Sequence, residues 1–437
     1  MLKVAKFGGS SVAGAEQFIK VKNIVESDSA RRVVIVSAAG KRNEDDHKIT
    51  DLLYLCHAHI QYGVSCDEIT DKIEARFEEI KKNLELKYDI KKEFQAFKER
   101  LVKDISVDEI VSRGEYFTGR LMAEYLGFQF VDAADCFFFG LDGQIDREKT
   151  DSAIKEALDR YQKILIPGFY GKLPSGRIKI MSRGGSDISG AIAAAALEAD
   201  VYENWTDVSG ILMADPRIVA DPKSIAKLTY AELRELSFMG ASVLHEESIL
   251  PVREKGIALN IRNTNEPKHT GTMIVDSIEE QCEADKPITG IAGRKNFTII
   301  TVSKRNININ ETLRQVLDIF SGYKVSIEHI NLGLDSFAVV ASTKAMGDLV
   351  YDIVSDIKKT CRPDRVEIQE GLALVAAVGR KMTFRPGTSG RLFKALGENG
   401  VNIRIIAQGA DELSIIVGVE NEQFETAIKV LYEGFTG

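Results

Sequence analysis

The chain has 437 residues, 44% hydrophobic and 28% charged, with a net charge of −8. That length exceeds what one hydrophobic core accommodates, so two or three domains are expected. The acidic balance argues against non-specific binding to nucleic acid or to an anionic membrane.

Residues 1–285 alternate strand-like and helix-like stretches. The expected strands are Val4–Phe7, Val33–Ser37, Phe128–Val131, Ile164–Pro167, Ile178–Met181, Val201–Trp205 and Ala258–Ile261, each a short apolar run ended by Gly, Pro or Ser. Between them the spacing predicts helices over 13–26, 51–62, 66–103, 107–126, 150–160, 186–199, 229–236 and 244–255. This alternation predicts an α/β fold, a largely parallel sheet covered by helices on both faces. Residues 66–103 are dense in Lys and Glu with spaced Ile, Phe and Leu, which reads as an amphipathic insertion whose charges form a solvated face. The polar stretch 40–49 reads as a mobile loop.

After about residue 285 the pattern changes. A strand Phe297–Ser303, a helix 311–323, strands 325–333 and 335–343, a helix 347–360 and a strand 365–370 are expected in turn. A second copy follows: strand 372–379, helix 389–399, strands 401–408 and 412–419, and helix 421–435. Both copies read βαββα. The second lacks a final strand, so its sheet needs one borrowed from the first copy or from another subunit.

Ligands of open α/β sheets sit beyond the carboxyl ends of the strands. The loops there carry the chemistry. In Lys6-Phe7-Gly8-Gly9-Ser10-Ser11-Val12, the N–H groups of Gly8, Gly9 and Ser10 can form an anion-binding nest beside the Lys6 charge, which suits nucleotide phosphates. The plainer reading is a strand, a glycine turn and a surface lysine. Ser182-Arg183-Gly184-Gly185-Ser186-Asp187 repeats the device at the start of a small-residue helix and adds a guanidinium able to grip a carboxylate. Asp187 can orient a lysine, help hold a metal, or simply cap the helix. Glu115, after Arg113-Gly114, can bind an ammonium group or lie on the surface. Thr206 and Asp207 can touch a ribose and Arg217 a phosphate, or the segments 205–210 and 214–217 are only turns. Ser37 and Thr50 can bond a substrate carboxylate, and Thr50 can also be a helix cap.

Other candidates are weaker. His57 and His59 are two apart on a helix and point different ways, a poor metal pair. Trp205 reads as core. Five scattered cysteines without a CxxC read as reduced thiols, and no targeting segment or membrane span is recognisable, so a cytoplasmic protein is expected.

The order KFGGSSV (6–12), VSRGE (111–115), SRGGSD (182–187), WTDVSGI (205–211), DPR (215–217) and VLH (243–245), followed by two small repeats, resembles the aspartate kinase family over essentially the whole chain. The resemblance implies an amino-acid-kinase sandwich over 1–285, followed by two ferredoxin-like ACT domains over 286–370 and 371–437. It implies a monofunctional enzyme that moves the γ-phosphoryl group of ATP, with Mg²⁺, to the β-carboxylate of L-aspartate, opening lysine, threonine and methionine biosynthesis. Lys6 would neutralise the transferring group and Gly8, Gly9, Ser10 and Ser186 would bind phosphates. Asp187 would hold Lys6. Arg183 and Glu115 would take the aspartate carboxylate and amino groups, with Ser37 and Thr50 beside them. Thr206, Asp207, Asp215 and Arg217 would contact ATP. An effector, lysine and/or threonine, would bind the ACT domains with Glu328 facing its amine, in a homodimer or homotetramer.

Two departures stand out. Relatives usually carry a lysine near the nucleotide where this chain has Ser242, and lysine-sensing relatives often carry hydroxyl residues where it has Asn331-Leu332-Gly333-Leu334. The rival readings are a related kinase with another acidic substrate, a catalytically silent amino-acid sensor, and a nicotinamide dehydrogenase, the last disfavoured because no GxGxxG follows the first strand.

Overall fold

The computed structural model describes every residue except Arg183, Ser242, Val243, His245, 279–286, 306–308, Lys381, Thr383, Phe384, Ala410 and Gly437, with Glu246 and Glu247 described in backbone only. The expected domain boundary near 285 lies outside the described residues. The chain divides into two compact units, one of Met1–Ile211, Ser224–Tyr230 and Val243–Glu279, the other of Leu212–Lys223, Ala231–Ser242 and Glu280–Gly437.

The first unit is built on an eight-stranded sheet. Its strands are β1 (Lys3–Phe7), β2 (Arg31–Val36), β3 (Gln129–Phe130), β4 (Ile164–Pro167), β7 (Val201–Thr206), β8 (Lys227–Thr229), β9 (Ala258–Asn263) and β10 (Thr272–Val275), in the order β3-β4-β2-β1-β7-β9-β10-β8. A separate hairpin pairs β5 (Tyr170–Lys172) with β6 (Ile178–Ile180). All neighbours in the large sheet run parallel except β9 and β10. The central strands are apolar on both faces, as a doubly covered parallel sheet requires: Val4, Ala5 and Phe7, Val33–Val36, and Ile164–Ile166 are fully buried. Helices Ala15–Glu26, Arg113–Leu126, Arg147–Tyr161 and Gly185–Ala196 cover it.

The insertion at 66–103 is two helices, Asp67–Asn83 and Ile90–Glu99. The segment Leu84–Asp89 breaks them, and Asp89 accepts a capping hydrogen bond from Lys92 N–H. Their apolar faces belong to the main core: Ile69, Ile73, Phe77, Ile80, Ile90, Phe94 and Phe97 pack with Phe117 and Leu121. The charge run is largely solvated, with one exception, the buried Arg76. The helix expected over 107–126 is likewise divided, at Ser112, into Val107–Val111 and Arg113–Leu126.

The second unit centres on a six-stranded antiparallel sheet. Its strands are β11 (Gly290–Ser303), β12 (Ile327–Leu332), β13 (Ser336–Ser342), β14 (Arg365–Val378), β15 (Ile405–Gln408) and β16 (Ser414–Glu420), in the order β12-β13-β11-β14-β16-β15. Two strands expected at 365–370 and 372–379 are one long strand, β14. It pairs along its length with the equally long β11, from Gly290 opposite Val378 to Ser303 opposite Arg365. The pairing is irregular at the middle, where Asn296 and Gly371 both have positive φ. The front half of β11, unforeseen from the sequence, is the strand that the second βαββα copy lacks. Both copies thus share one continuous sheet, the α+β architecture expected for this region. Among the described residues no helix is long and apolar enough to cross a membrane.

Candidate active site

β1 lies between β2 and β7, so the loops after all three open on one rim. After Phe7 the chain makes a short 3-10 turn, Gly9–Val12, held to β7 by the Gly8 N–H bond to the Trp205 carbonyl at 2.9 Å. The loop after β2 presses against the same turn. Gly40 N–H donates to Gly9 O at 2.8 Å, and a Cβ on Gly40 would stand 2.6 Å from Gly9 C. Two glycines are required because the backbones touch.

A cleft of about 570 Å³ opens here. Of the expected site residues, Gly9, Ser10, Ser37, Thr50, Glu115, Ser186, Asp187 and Asp207 line it. Lys6 is buried close by, its ammonium 3.5 Å from where a Gly8 Cβ would lie. That ammonium donates to Asp187 Oδ1 at 2.5 Å and, at 3.4 Å, to Asn204 Oδ1. Asn204 Nδ2 donates to the same Asp187 oxygen at 2.7 Å, and Tyr202 OH donates to the Asp187 carbonyl at 3.1 Å. Asp187 does not cap its helix. The cap is Gly184, with φ of +79°, and Asp187 sits in the first turn. Thr50 is not a cap either, since that position is Lys48.

Glu115 is not a surface residue. It is 4% exposed, in the first turn of Arg113–Leu126, with Oε2 lacking a hydrogen-bond partner among the described residues. Burial pushes its carboxyl up to about 8, against the opposing pull of the Ala38 and Glu115 backbone N–H groups and the Arg113 charge. The helix meets the β2 loop closely: Ala39 N–H donates to Thr118 Oγ1 at 3.2 Å.

Other expected residues stand apart. Thr206 bonds Asp207 Oδ1 at 3.1 Å. Asp215 and Arg217 belong to the second unit, where they pair with each other at 2.6 Å. There too, Glu328 accepts from Arg294 at 2.7 Å. Arg183, Ser242 and His245 lie outside the described residues. His57 and His59 make separate local contacts, with Gln61 and the Ser65 carbonyl. Trp205 is core, 1% exposed and stacked on Phe7. Sequence reasoning missed Asn204, Lys41 and Lys48. The signal for Asn204 was a polar pair, Glu203-Asn204, inside a central strand.

The model of the amino acid kinase family matches residues 1–263, and an ACT domain model matches 375–435. Aspartokinase 3 of Bacillus subtilis (strain 168) is 33% identical over 99% of this chain and 98% of its own. The chain belongs to the aspartokinases. The crystal structure of the Clostridium acetobutylicum aspartate kinase matches the whole of both chains at 45% identity with a TM-score of 0.90. The E. coli aspartokinase III structures, one in complex with aspartate and ADP and one with lysine and aspartate, also match over full length, at 27% and 28% identity with TM-scores of 0.75 and 0.76. As in any aspartokinase, the reaction to be explained joins an anionic phosphoryl donor to an anionic acceptor, and this cleft offers two glycine turns, the N-terminus of the helix Gly185–Ala196 and an ion-paired lysine.

Proposed function

We propose that the cleft transfers the γ-phosphoryl group of ATP to the β-carboxylate of L-aspartate, releasing ADP and 4-phospho-L-aspartate. The observation that carries the reading is the Lys6–Asp187 pair, which joins the two glycine turns at one cleft. The acceptor is already ionised, so the step needs no general base; positioning and charge neutralisation supply the catalysis. Lys6 stabilises charge on the transferring group, and Asp187 and Asn204 fix its ammonium. Gly9, Ser10 and Ser186 receive phosphate oxygens; the Gly8 N–H, expected to join them, is instead committed to the Trp205 carbonyl. Glu115 takes the aspartate ammonium, with Ser37, Thr50 and Arg183 on its carboxylates. Thr206 and Asp207 serve the nucleotide; Asp215 and Arg217, folded with the second unit and paired with each other, are left out of this reading.

The described residues hold no group of three or more His, Cys, Asp and Glu arranged for a metal. The cleft carboxylates Asp187 and Asp207 nevertheless fit Mg²⁺ that arrives on the triphosphate, since this ion is usually held by one or two carboxylates plus substrate phosphates. It would supply charge neutralisation.

In this reading the catalytic domain is 1–285 less Leu212–Lys223 and Ala231–Ser242, which fold with the second unit, and 286–370 and 371–437, the latter completed by the strand segment 290–295, are two ACT domains that bind lysine and/or threonine, with Glu328 exchanging Arg294 for the effector amine. A cytoplasmic homodimer or homotetramer is the proposed assembly. The test is ADP release with aspartate, glutamate, N-acetylglutamate, carbamate and UMP as acceptors, with hydroxylamine trapping of the acyl phosphate. Aspartate alone should support turnover, and lysine or threonine should reduce it. Turnover with another acceptor, or none with aspartate, overturns the proposal.

A further inference from the structure

The loop expected to be mobile is tied down at both ends. Its ends close on each other, with Ile49 N–H donating to Ala39 O at 3.1 Å, so residues 40–48 form a compact Ω-type loop. Arg76, 5% exposed, reaches it from the helix Asp67–Asn83. One guanidinium binds the carbonyls of Gly40 and His47, at the two ends of the loop, and that of Ala13, just beyond the first glycine turn. It also lies 3.2 Å from Asp46, which Arg42 holds at 2.9 Å while reaching Glu79 at 2.7 Å. Burial alone would raise the Asp46 carboxyl; the Arg42 hydrogen bonds and the Arg76 charge outweigh it and keep that carboxyl ionised.

The brace presents two cations. Lys41 and Lys48 both line the cleft. Among the described residues neither ammonium has a carboxylate partner, and the contact of Lys41 with the Glu44 carbonyl is long, 3.4 Å, and exposed. Lys6, by contrast, is already paired with Asp187. Lys41 follows Gly40, whose N–H is bonded to Gly9, so it leaves the loop beside the glycine turn. Lys48 precedes Thr50 by two residues, on the acceptor side. The two uncommitted charges therefore flank the place where donor and acceptor meet.

We propose that Lys41 and Lys48 bind the terminal phosphate of the nucleoside triphosphate, and that Arg76 is a positioning residue that holds their loop against the glycine turn. The proposal rests on the kinase reading above, and its test is separable from it. Dissociation constants for ADP and for a non-hydrolysable ATP analogue, measured by titration calorimetry without aspartate, read the lysines alone; acceptor-dependent turnover of the unaltered enzyme reads the kinase assignment.

Each of Lys41→Met and Lys48→Met should weaken the analogue about tenfold, the worth of one charge-assisted hydrogen bond. ADP affinity should stay within about twofold and the aspartate KM within about threefold. Arg76→Met should reproduce the analogue-selective loss, and millimolar guanidinium or the Arg76→Lys variant should restore part of it, which a general loss of packing would not allow. Equal loss of ADP and analogue, a loss confined to aspartate, or no loss in the double lysine variant overturns the lysine assignment. A folded Arg76 variant with full analogue affinity overturns the positioning role, and Arg76→Lys carries that test if Arg76→Met fails to fold.

Discussion

The Lys6 ammonium lies 2.5 Å from an Asp187 carboxylate oxygen, although 181 residues separate the two in the chain. The pair exists because β1 ends and the helix Gly185–Ala196 begins at the same rim, and Asn204 on β7 bonds both partners. Replacing Lys6 by Met removes a charge whose effect grows as the phosphoryl group transfers. We expect kcat to fall about 10²–10³-fold with a small change in aspartate KM. Asn204→Ala, which loosens the ammonium without deleting it, should cost about tenfold in kcat. Steady-state kinetics on both variants checks this, and unchanged turnover in Lys6→Met would remove that residue from the mechanism.

Glu115 supplies a pH signature. With its carboxyl pushed up to about 8, the free cleft holds it protonated at neutral pH. An arriving ammonium favours the ionised form, so aspartate binding should release a proton near pH 7. Calorimetry in two buffers of different ionisation enthalpy measures that release, and Glu115→Gln should abolish it.

The same group makes stability depend on pH. A carboxyl raised in the folded state contributes stability that is complete below its ordinary value of 4.5 and is lost as pH rises through about 8. Melting of the ligand-free wild type should therefore drop more between pH 6 and pH 9 than melting of Glu115→Gln. Parallel curves would contradict the burial of that charge.

Glu232 is fully buried in the second unit, where Arg380 contacts both of its carboxylate oxygens at 3.1 Å. Removing the cation leaves a buried carboxylate with one charged partner fewer, although Thr289 Oγ1 and the Arg380 N–H still donate to it. Arg380→Met should destabilise the protein by about 3 kcal/mol, with Glu232→Gln costing less than Arg380→Met. Denaturant unfolding measures both.

Gly40→Ala tests the contact between the two rim loops. The new methyl would stand 2.6–2.8 Å from the Gly9 carbonyl group and the Ser10 nitrogen. One turn must give way, so nucleotide affinity should fall while the aspartate KM changes less. Equal ATP binding in the variant would mean that the loops part freely.

Much of this site is legible in the chain because its parts are local. Glycine pairs at strand ends, small residues opening a helix and an acidic residue after Arg113-Gly114 each announce themselves within a few positions. The remainder is non-local. Nothing near Arg76 reveals that it reaches three carbonyls from two distant loops, because its neighbours are surface charges on an amphipathic helix. Asp215 and Arg217, close to Thr206 and Asp207 in sequence, fold with the second unit instead. The front half of β11 was hidden for a related reason: Gly290, Gly293 and the run Arg294-Lys295-Asn296 look like a linker until β14 is available to pair with them.

That half-strand makes the first repeat an insertion within the second. Residues 290–295 and 372–436 form one body, and everything from Phe297 to Gly371 enters and leaves it at adjacent positions, since Phe297 pairs with Leu372. The inner repeat could be excised and its gap closed by a short turn, leaving a hairpin of the two outer segments. A chain cut after residue 370 would instead strip the outer repeat of most of its strands and orphan residues 290–295. The order of the genetic message and the nesting of the folded object are therefore different.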